Sequence, residues 1–363
     1  MRLLQLSLAL ILALPLTIAS PFQTPTTVTL YAANVNHGQG TDGSFNFSRQ
    51  ITSMSDADII AVSERTTTEG GWDSPLSGNG MAQAVFMADP AGGDGQALWV
   101  KSSTVTVDAT YTHILTNSAN PTSGSTTFGW DGSTDCRRSV AAAKVTVATR
   151  QFYVVSVHLG PSRCNDSSGV LTSVMRESQM SDLTSWTTST LTGGLPVIPI
   201  GDFNLTPDQA KSSGGSQIDL MTAGYTDLWA AGLSAGTATA AWGDRDANGT
   251  ADMPVSSLGT RTHDTRARID YAFITTGSTG LALSSIDVPD VRAICSVALT
   301  NVQGNQCTGC GSTFKECPDV VAPTFVWDVP EDQGVKPSDH NWVKVVLSLG
   351  KPKCRFHTLV RCQ

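Results

Sequence analysis

Eight short apolar or β-branched runs, at residues 28–35, 59–63, 97–100, 142–147, 152–158, 197–200, 269–274 and 342–349, are each bounded by turn residues. Runs of this length and composition read as strands, and their number and spacing constrain the chain more than any other feature does. Residues 47–54 and 171–187 read as helical, and 207–210 as a helix start. Strands interleaved with amphipathic helices predict α/β layers, with two sheets packed face to face and helices outside them. Neither an internal repeat nor a low-complexity linker breaks the pattern, so one catalytic domain over residues 20–350 is the simpler count. Residues 294–334 hold few periodic runs and many Gly, Pro and Cys, and read as an insertion before the last strand.

Polar motifs open or close the runs in a fixed order. They are Asn34-Val-Asn36, Ser63-Glu64, His158, Gly201-Asp202-Phe-Asn204, Arg268-Ile-Asp270-Tyr271 and Ser338-Asp339-His340. Hydrolysis of a phosphate ester needs a cation against the nonbridging oxygens, a base for water and an acid for the leaving oxygen. Hard divalent cations take oxygen ligands, which Asn, Asp and Glu supply. Each motif has a plainer reading when taken alone. Glu64 is then a solvated strand-end carboxylate. Asp202 and Asn204 form a turn that caps a following helix. Asp270 forms an ion pair with Arg268, or fixes the tautomer of a histidine base. A lone strand-end histidine is more often structural than catalytic, but His158 and His340 make a pair, and His340 adjoins an acid.

Together, in this order, the motifs resemble the endonuclease/exonuclease/phosphatase superfamily, which includes DNase I-like nucleases, neutral sphingomyelinases and inositol polyphosphate 5-phosphatases. The resemblance runs from Val28 to about Leu349. It implies a four-layer α/β sandwich with two mixed, mostly antiparallel sheets and the site in a cleft at one edge. It implies that Asn36, Glu64 and Asp339 hold Mg²⁺ or Mn²⁺, and that Asn34 and Arg268 meet the phosphate. It gives His158, Asp202, Asn204, Asp270 and His340 catalytic parts. His340, partnered by Asp270, activates water, Asp202 orients it, and Asn204 and His158 stabilise developing charge. Which of Asp202 and His340 is the base stays open. Ser63-Glu64-Arg65 stands where Gln-Glu is more common, and no long aromatic hairpin of a membrane-inserting sphingomyelinase is evident.

Charge narrows the substrate. A formal charge of -8 argues against a broad basic surface that grips nucleic acid, but not against an enzyme that meets phosphate through a cation. The expected activity is a metal-dependent phosphodiesterase, first on DNA or RNA. Cleavage of lipid headgroups or phosphomonoesters is the alternative within the same chemistry, and a binding protein on an inactive sandwich is the alternative outside it. A monomer is expected.

The remaining readings concern export and bracing. Arg2, the apolar stretch from Leu3 to Ile18 and the small residues Ala19-Ser20 read as a signal peptide cut after residue 19. That predicts a secreted or periplasmic protein with no stable membrane insertion after cleavage. Eight cysteines in an exported chain favour disulfides. Cys136–Cys164 and Cys354–Cys362 are plausible local pairs, the latter stapling a tail at residues 351–363. Cys295, Cys307, Cys310 and Cys317 would tie the insertion, although Cys307 and Cys310 also have zinc-ligand spacing. Asp244, Asp246, Asn248 and Asp252 resemble the start of a structural Ca²⁺ loop, but Val255 stands where an EF-hand wants Glu, and a polar turn explains them equally well. Asn46, Asn165, Asn204 and Asn248 match the glycosylation pattern.

Overall fold

The computed structural model describes residues 26–39, 45, 47–66, 70–90, 94–115, 138–161, 172–240, 268–289, 292–294, 324–326, 338 and 340–350. In chain order the first strands are β1 (Thr26–Asn34), β2 (Ile59–Ser63), β3 (Met81–Ala88), β4 (Gly95–Lys101), β5 (Val105–Ile114), β6 (Ser139–Val147), β7 (Arg150–His158) and β8 (Val197–Asp202). They are followed by β9 (Tyr225–Asp227), β10 (Ala238–Ala240), β11 (Asp270–Thr275), β12 (Leu281–Val288), β13 (Arg292–Ile294), β14 (Thr324–Val326) and β15 (Val343–Leu349). The α-helices are α1 (Phe47–Ser53), α2 (Asp73–Gly78), α3 (Thr172–Thr190), α4 (Asp219–Thr222) and α5 (Leu228–Ala235).

Alternation along β1 explains the layering. Val28, Leu30 and Ala32 enter one core while Tyr31 and Ala33 enter another. Ile59 and Ala61 of β2 divide from Ile60 and Val62 in the same way. A strand buried on both faces must be apolar throughout, which is why these runs show no polar alternation. Burial of each Val, Leu or Ile side chain among them contributes about 1.5–3 kcal/mol.

One sheet runs β10-β12-β15-β1-β2-β4-β3 and the other β5-β6-β7-β8-β11-β9, while β13 and β14 pair separately. The first core lies between the two sheets, where Val28, Leu30 and Val345 meet Val145, Val154 and Ile200. A second core packs Met180, Leu183 and Trp186 of α3 on the outer face of the six-stranded sheet. A third packs Ile51 and Leu76, from α1 and α2, on the outer face of the seven-stranded sheet. The result is the expected four-layer α/β sandwich, with mixed and mostly antiparallel sheets.

All eight expected strands form, within a few residues of their expected ends. The helix expected to start at 207 does not. Residues 207–208 make a turn, and Ala210 bridges back to Ser216. Ser216 Oγ donates to the Pro207 carbonyl at 2.6 Å, and Gly214 and Gly215, at φ of 89° and 83°, reverse the chain. The signal segment, all eight cysteines, the tail at 351–363, Asp339 and the Asp244, Asp246, Asn248 and Asp252 loop lie outside the described residues. No helix among the described residues is long and apolar enough to cross a membrane.

Candidate active site

Strand register assembles the site before any side chain does. β7 and β8 are parallel, with His158 opposite Asp202, and β11 runs antiparallel to β8 with Asp270 opposite the same Asp202. In the other sheet Asn34 ends β1 opposite Ser63 at the end of parallel β2. Two serines tie the sheets together just beneath these ends. Ser63 Oγ donates to the Val157 carbonyl at 3.1 Å, and Ser156 Oγ donates to the Val62 carbonyl at 2.9 Å. Ser338 Oγ donates to the Asn34 carbonyl at 2.6 Å and accepts the His340 N–H at 3.2 Å, which brings the start of β15 to the same place.

Gly201 permits this register. Its φ is +145°, and a Cβ there would stand 2.1 Å from the Val157 carbonyl oxygen. Beyond the strand ends, Asn36, His37, Glu64 and Asn204 adopt φ of 43°, 55°, 57° and 50°. Left-handed backbone is uncommon outside glycine, and its concentration around one cleft marks strain held for function.

Asp202 is the hub, only 1% exposed. Asn34 Nδ2 donates to its Oδ2 at 3.1 Å, and the Asn204 backbone N–H donates to Oδ1 at 2.7 Å. His158 Nε2 stands 3.7 Å and His340 Nε2 3.8 Å from Oδ2. Asn204 Nδ2 donates to the Leu159 carbonyl at 2.9 Å, which fixes the chain just after His158. Burial, then the neighbouring Asp270, pushes the Asp202 carboxyl up to about 7, although His340 pulls the other way.

Asp270 accepts from His340 Nδ1 at 2.8 Å, with both side chains buried. Nδ1 donating to a carboxylate leaves Nε2 as the ring atom that can accept a proton, the arrangement a general base needs. Glu64 lies across the cleft, its two oxygens 3.5 Å from His37 Nε2 and 3.7 Å from His158 Nε2. The Asn36 backbone N–H donates to Asn34 Oδ1 at 3.0 Å. Arg268, expected at the phosphate, is placed differently: its guanidinium pairs with Asp227 and lies 4.2 Å from the centre of the Tyr271 ring. Asp227 also caps α5, accepting from Trp229 N–H at 2.9 Å, so Arg268 is engaged in joining β9, α5 and β11.

Several residues at the site escaped the sequence reading. Asp89, Asp94 and His158 place donor atoms within 4.8 Å of one another. Arg138 reaches both carboxylates, 2.7 Å from Asp89 and 3.6 Å from Asp94, so a cation already occupies that cluster. Burial, then Asp89, raises the Asp94 carboxyl to about 7. Asp89 follows β3, a strand absent from the sequence reading, so it did not register as a strand-end acid. On α3, Arg176 Nη1 donates to the Gly160 carbonyl at 3.3 Å and Gln179 Oε1 accepts the Gly160 N–H at 2.9 Å. Arg176 is 3% exposed with Nε unpaired, and burial lowers its pKa to about 10 while Asp202 supports its charge. Residues 176, 179, 180, 183 and 187 share one helix face, so an Arg and a Gln on the buried stripe were the available signal.

The donor set fits a hard divalent cation. Glu64 keeps a partly exposed carboxylate at the mouth, at 16% side-chain exposure, and behind it Asp202 is held against its own charge by burial and other carboxylates. Asp202, Asp270 and His340 also place donor atoms within 4.8 Å of one another.

Comparison with known proteins gives the geometry a lineage. The model of the Endonuclease/Exonuclease/phosphatase family matches residues 32–340. Among solved structures, an endonuclease/exonuclease/phosphatase from Bacteroides vulgatus aligns with TM-score 0.53 at 16% identity, over 90% of this chain and 100% of its own. The human Nocturnin catalytic domain aligns with TM-score 0.52 at 16% identity, over 90% and 94%. The mannosyl-6-phosphatase of Bacteroides thetaiotaomicron aligns with TM-score 0.51 at 15% identity, over 89% and 100%. At such identities these structures show the fold alone. No curated protein matches the chain. The family match over most of the chain and the sandwich that carries its motifs agree: this protein belongs to the Endonuclease/Exonuclease/phosphatase family, whose members are hydrolases of phosphoesters.

Proposed function

We propose that this protein is an exported, divalent-cation-dependent phosphodiesterase that cleaves nucleic acid. The observation that carries the chemistry is the buried Asp270–His340 pair facing Asp202 Oδ2 at 3.8 Å, with His158 Nε2 3.7 Å from the same oxygen. A water bound at Asp202 would lie within reach of His340 Nε2, a base oriented by Asp270.

The cation would be held by Glu64 and Asn36, with Asp339 as a further ligand, and when bound it supplies positive charge against the nonbridging phosphate oxygens. Asp202 orients the attacking water, and His340 Nε2 takes its proton as the new P–O bond forms. The opposite P–O bond breaks, and its departing oxygen takes a proton from His158 Nε2. Asn34 and Asn204 donate hydrogen bonds where negative charge grows. Export rests on the N-terminal segment, through the apolar stretch from Leu3 to Ile18.

The mannosyl-6-phosphatase among the structural neighbours keeps phosphomonoesters in the test. Purified protein with Mg²⁺, Mn²⁺ or EDTA is offered plasmid DNA, RNA, sphingomyelin and a sugar phosphate in parallel. Cation-dependent cleavage of DNA or RNA is expected. Turnover of sphingomyelin or sugar phosphate alone would replace the nuclease reading, and silence on all four would favour a binding protein.

A further inference from the structure

Phe45 is 55% exposed, and among the described residues only Ile114, at 37%, is another large exposed hydrophobic side chain. A lone exposed phenylalanine is ordinary on a protein surface. This one is backed by a column of rings. Phe45 stacks on Phe47 with centroids 6.1 Å apart, Phe47 meets Trp72 edge-on at 4.4 Å, and Trp72 leans on Trp99 at 5.0 Å. Trp72 and Trp99 are fully buried. Gly38 and Gly71 close on Phe47 so tightly that a Cβ on either would stand 2.2 Å from a ring carbon. The outermost ring therefore sits on a support anchored in the core, and little ordering is left for a ligand to impose on it.

The column also stands close to the cleft. Phe45 bridges Gln39, whose N–H donates to the Asn36 carbonyl at 2.9 Å, and His37 in the same turn donates its N–H to the Glu64 carbonyl at 3.1 Å. Two Cα steps of about 3.8 Å and one cross-strand spacing of about 5.5 Å put Phe45 no more than ~13 Å from His37, Cα to Cα. That is the span of a few nucleotides of a strand.

Charge leaves a task for such a ring. Among the described residues, three cations near the cleft have partners already: Arg138 has Asp89 and Asp94, Arg268 has Asp227, and Arg65 donates to the Thr66 carbonyl at 2.6 Å with its guanidinium 4.5 Å from the centre of the Phe86 ring. A chain of net charge -8 that meets nucleic acid here gains little from phosphate contacts. Base–aromatic stacking is the sequence-tolerant alternative.

We infer that Phe45 is a stacking platform for a base beside the scissile phosphate, so that the cleft selects nucleic acid by ring contact instead of by basic side chains. The inference rests on the nuclease reading and names how that site recognises its substrate. The test compares wild type, Phe45→Ala and Phe45→Trp on a DNA oligonucleotide and on an abasic sugar–phosphate chain of the same length. Phe45→Ala is expected to raise KM for DNA about tenfold and to shrink the preference for DNA over the abasic chain by the same factor, while Phe45→Trp restores both. DNA cleavage with an unchanged preference in Phe45→Ala overturns the platform and leaves the nuclease standing. A wild type that cleaves neither DNA nor RNA but turns over another ester removes the nuclease reading, and the platform with it.

Discussion

Asp202 takes hydrogen bonds from two residues and lies within 4 Å of two histidines while only 1% exposed. Its carboxyl is raised from 3.8 to about 7, first by burial and then by Asp270. Without a cation, the native state keeps a proton that the unfolded chain releases above about pH 4. Stability from this group is therefore full below pH 4 and is lost as pH rises toward 7. Thermal unfolding in chelator should show stability falling between pH 4.5 and 7.5, and Asp202→Ala should flatten that slope by on the order of 1 kcal/mol per pH unit. Identical slopes in the two proteins would mean that Asp202 is ionised in the cation-free fold. Added Mg²⁺ should stabilise wild type more at pH 7.5 than at pH 5, because the cation binds the ionised form.

The strand ends, at the scale of elements, do more positioning than any loop. Parallel pairing of β7 with β8 sets His158 beside Asp202, and that pairing needs a glycine at 201, where a Cβ would meet the Val157 carbonyl at 2.1 Å. Gly201→Ala is expected to cost at least ~2 kcal/mol in urea unfolding and to lower activity further than stability alone explains. A variant of wild-type stability would remove the close approach from the account. Helix α3 acts through Arg176 and Gln179 on Gly160, two residues after His158. A buried arginine with Nε unpaired adds little to stability, so Arg176→Met should unfold within about 1 kcal/mol of wild type. Its kcat should nevertheless fall about tenfold with KM little changed, since the loop after His158 loses its anchor. Loss of stability with full activity would make Arg176 a packing residue only.

At the scale of the whole molecule, the sequence showed the strands with the longest buried runs and hid the sheet edges together with β12, an interior strand whose outer face is half-exposed. β1, β2, β4, β6, β7, β8 and β11 were legible because burial on two faces makes a strand apolar along most of its length, and β15 because Val343, Val345, Leu347 and Leu349 fill the core between the sheets. β3, β5, β9 and β10, the four edges of the two large sheets, were not. β5, for example, alternates buried or half-buried residues with exposed Thr106, Asp108, Thr110 and Thr112, which dilutes the apolar signal. Loss of the edges carried loss of Asp89, just beyond β3, and of its contacts with Asp94 and Arg138. The ordered motifs named most of the residues that gather around Asp202, because each motif sits at the end of an interior strand. Arg268 pairs with Asp227 at the end of β9, an edge strand that the sequence hid, so that contact was not legible.

In the proposed reaction His340 is the proton acceptor for phosphodiester hydrolysis in this cleft. The most direct test of that reaction is the single-turnover rate of DNA cleavage with saturating Mg²⁺ for wild type and His340→Ala, each repeated in EDTA. Wild-type cleavage is expected to be abolished by chelator and to fall by two to four orders of magnitude in His340→Ala, the range for loss of a positioned base. Cleavage by His340→Ala at the wild-type rate, or wild-type cleavage that persists in EDTA, would contradict it.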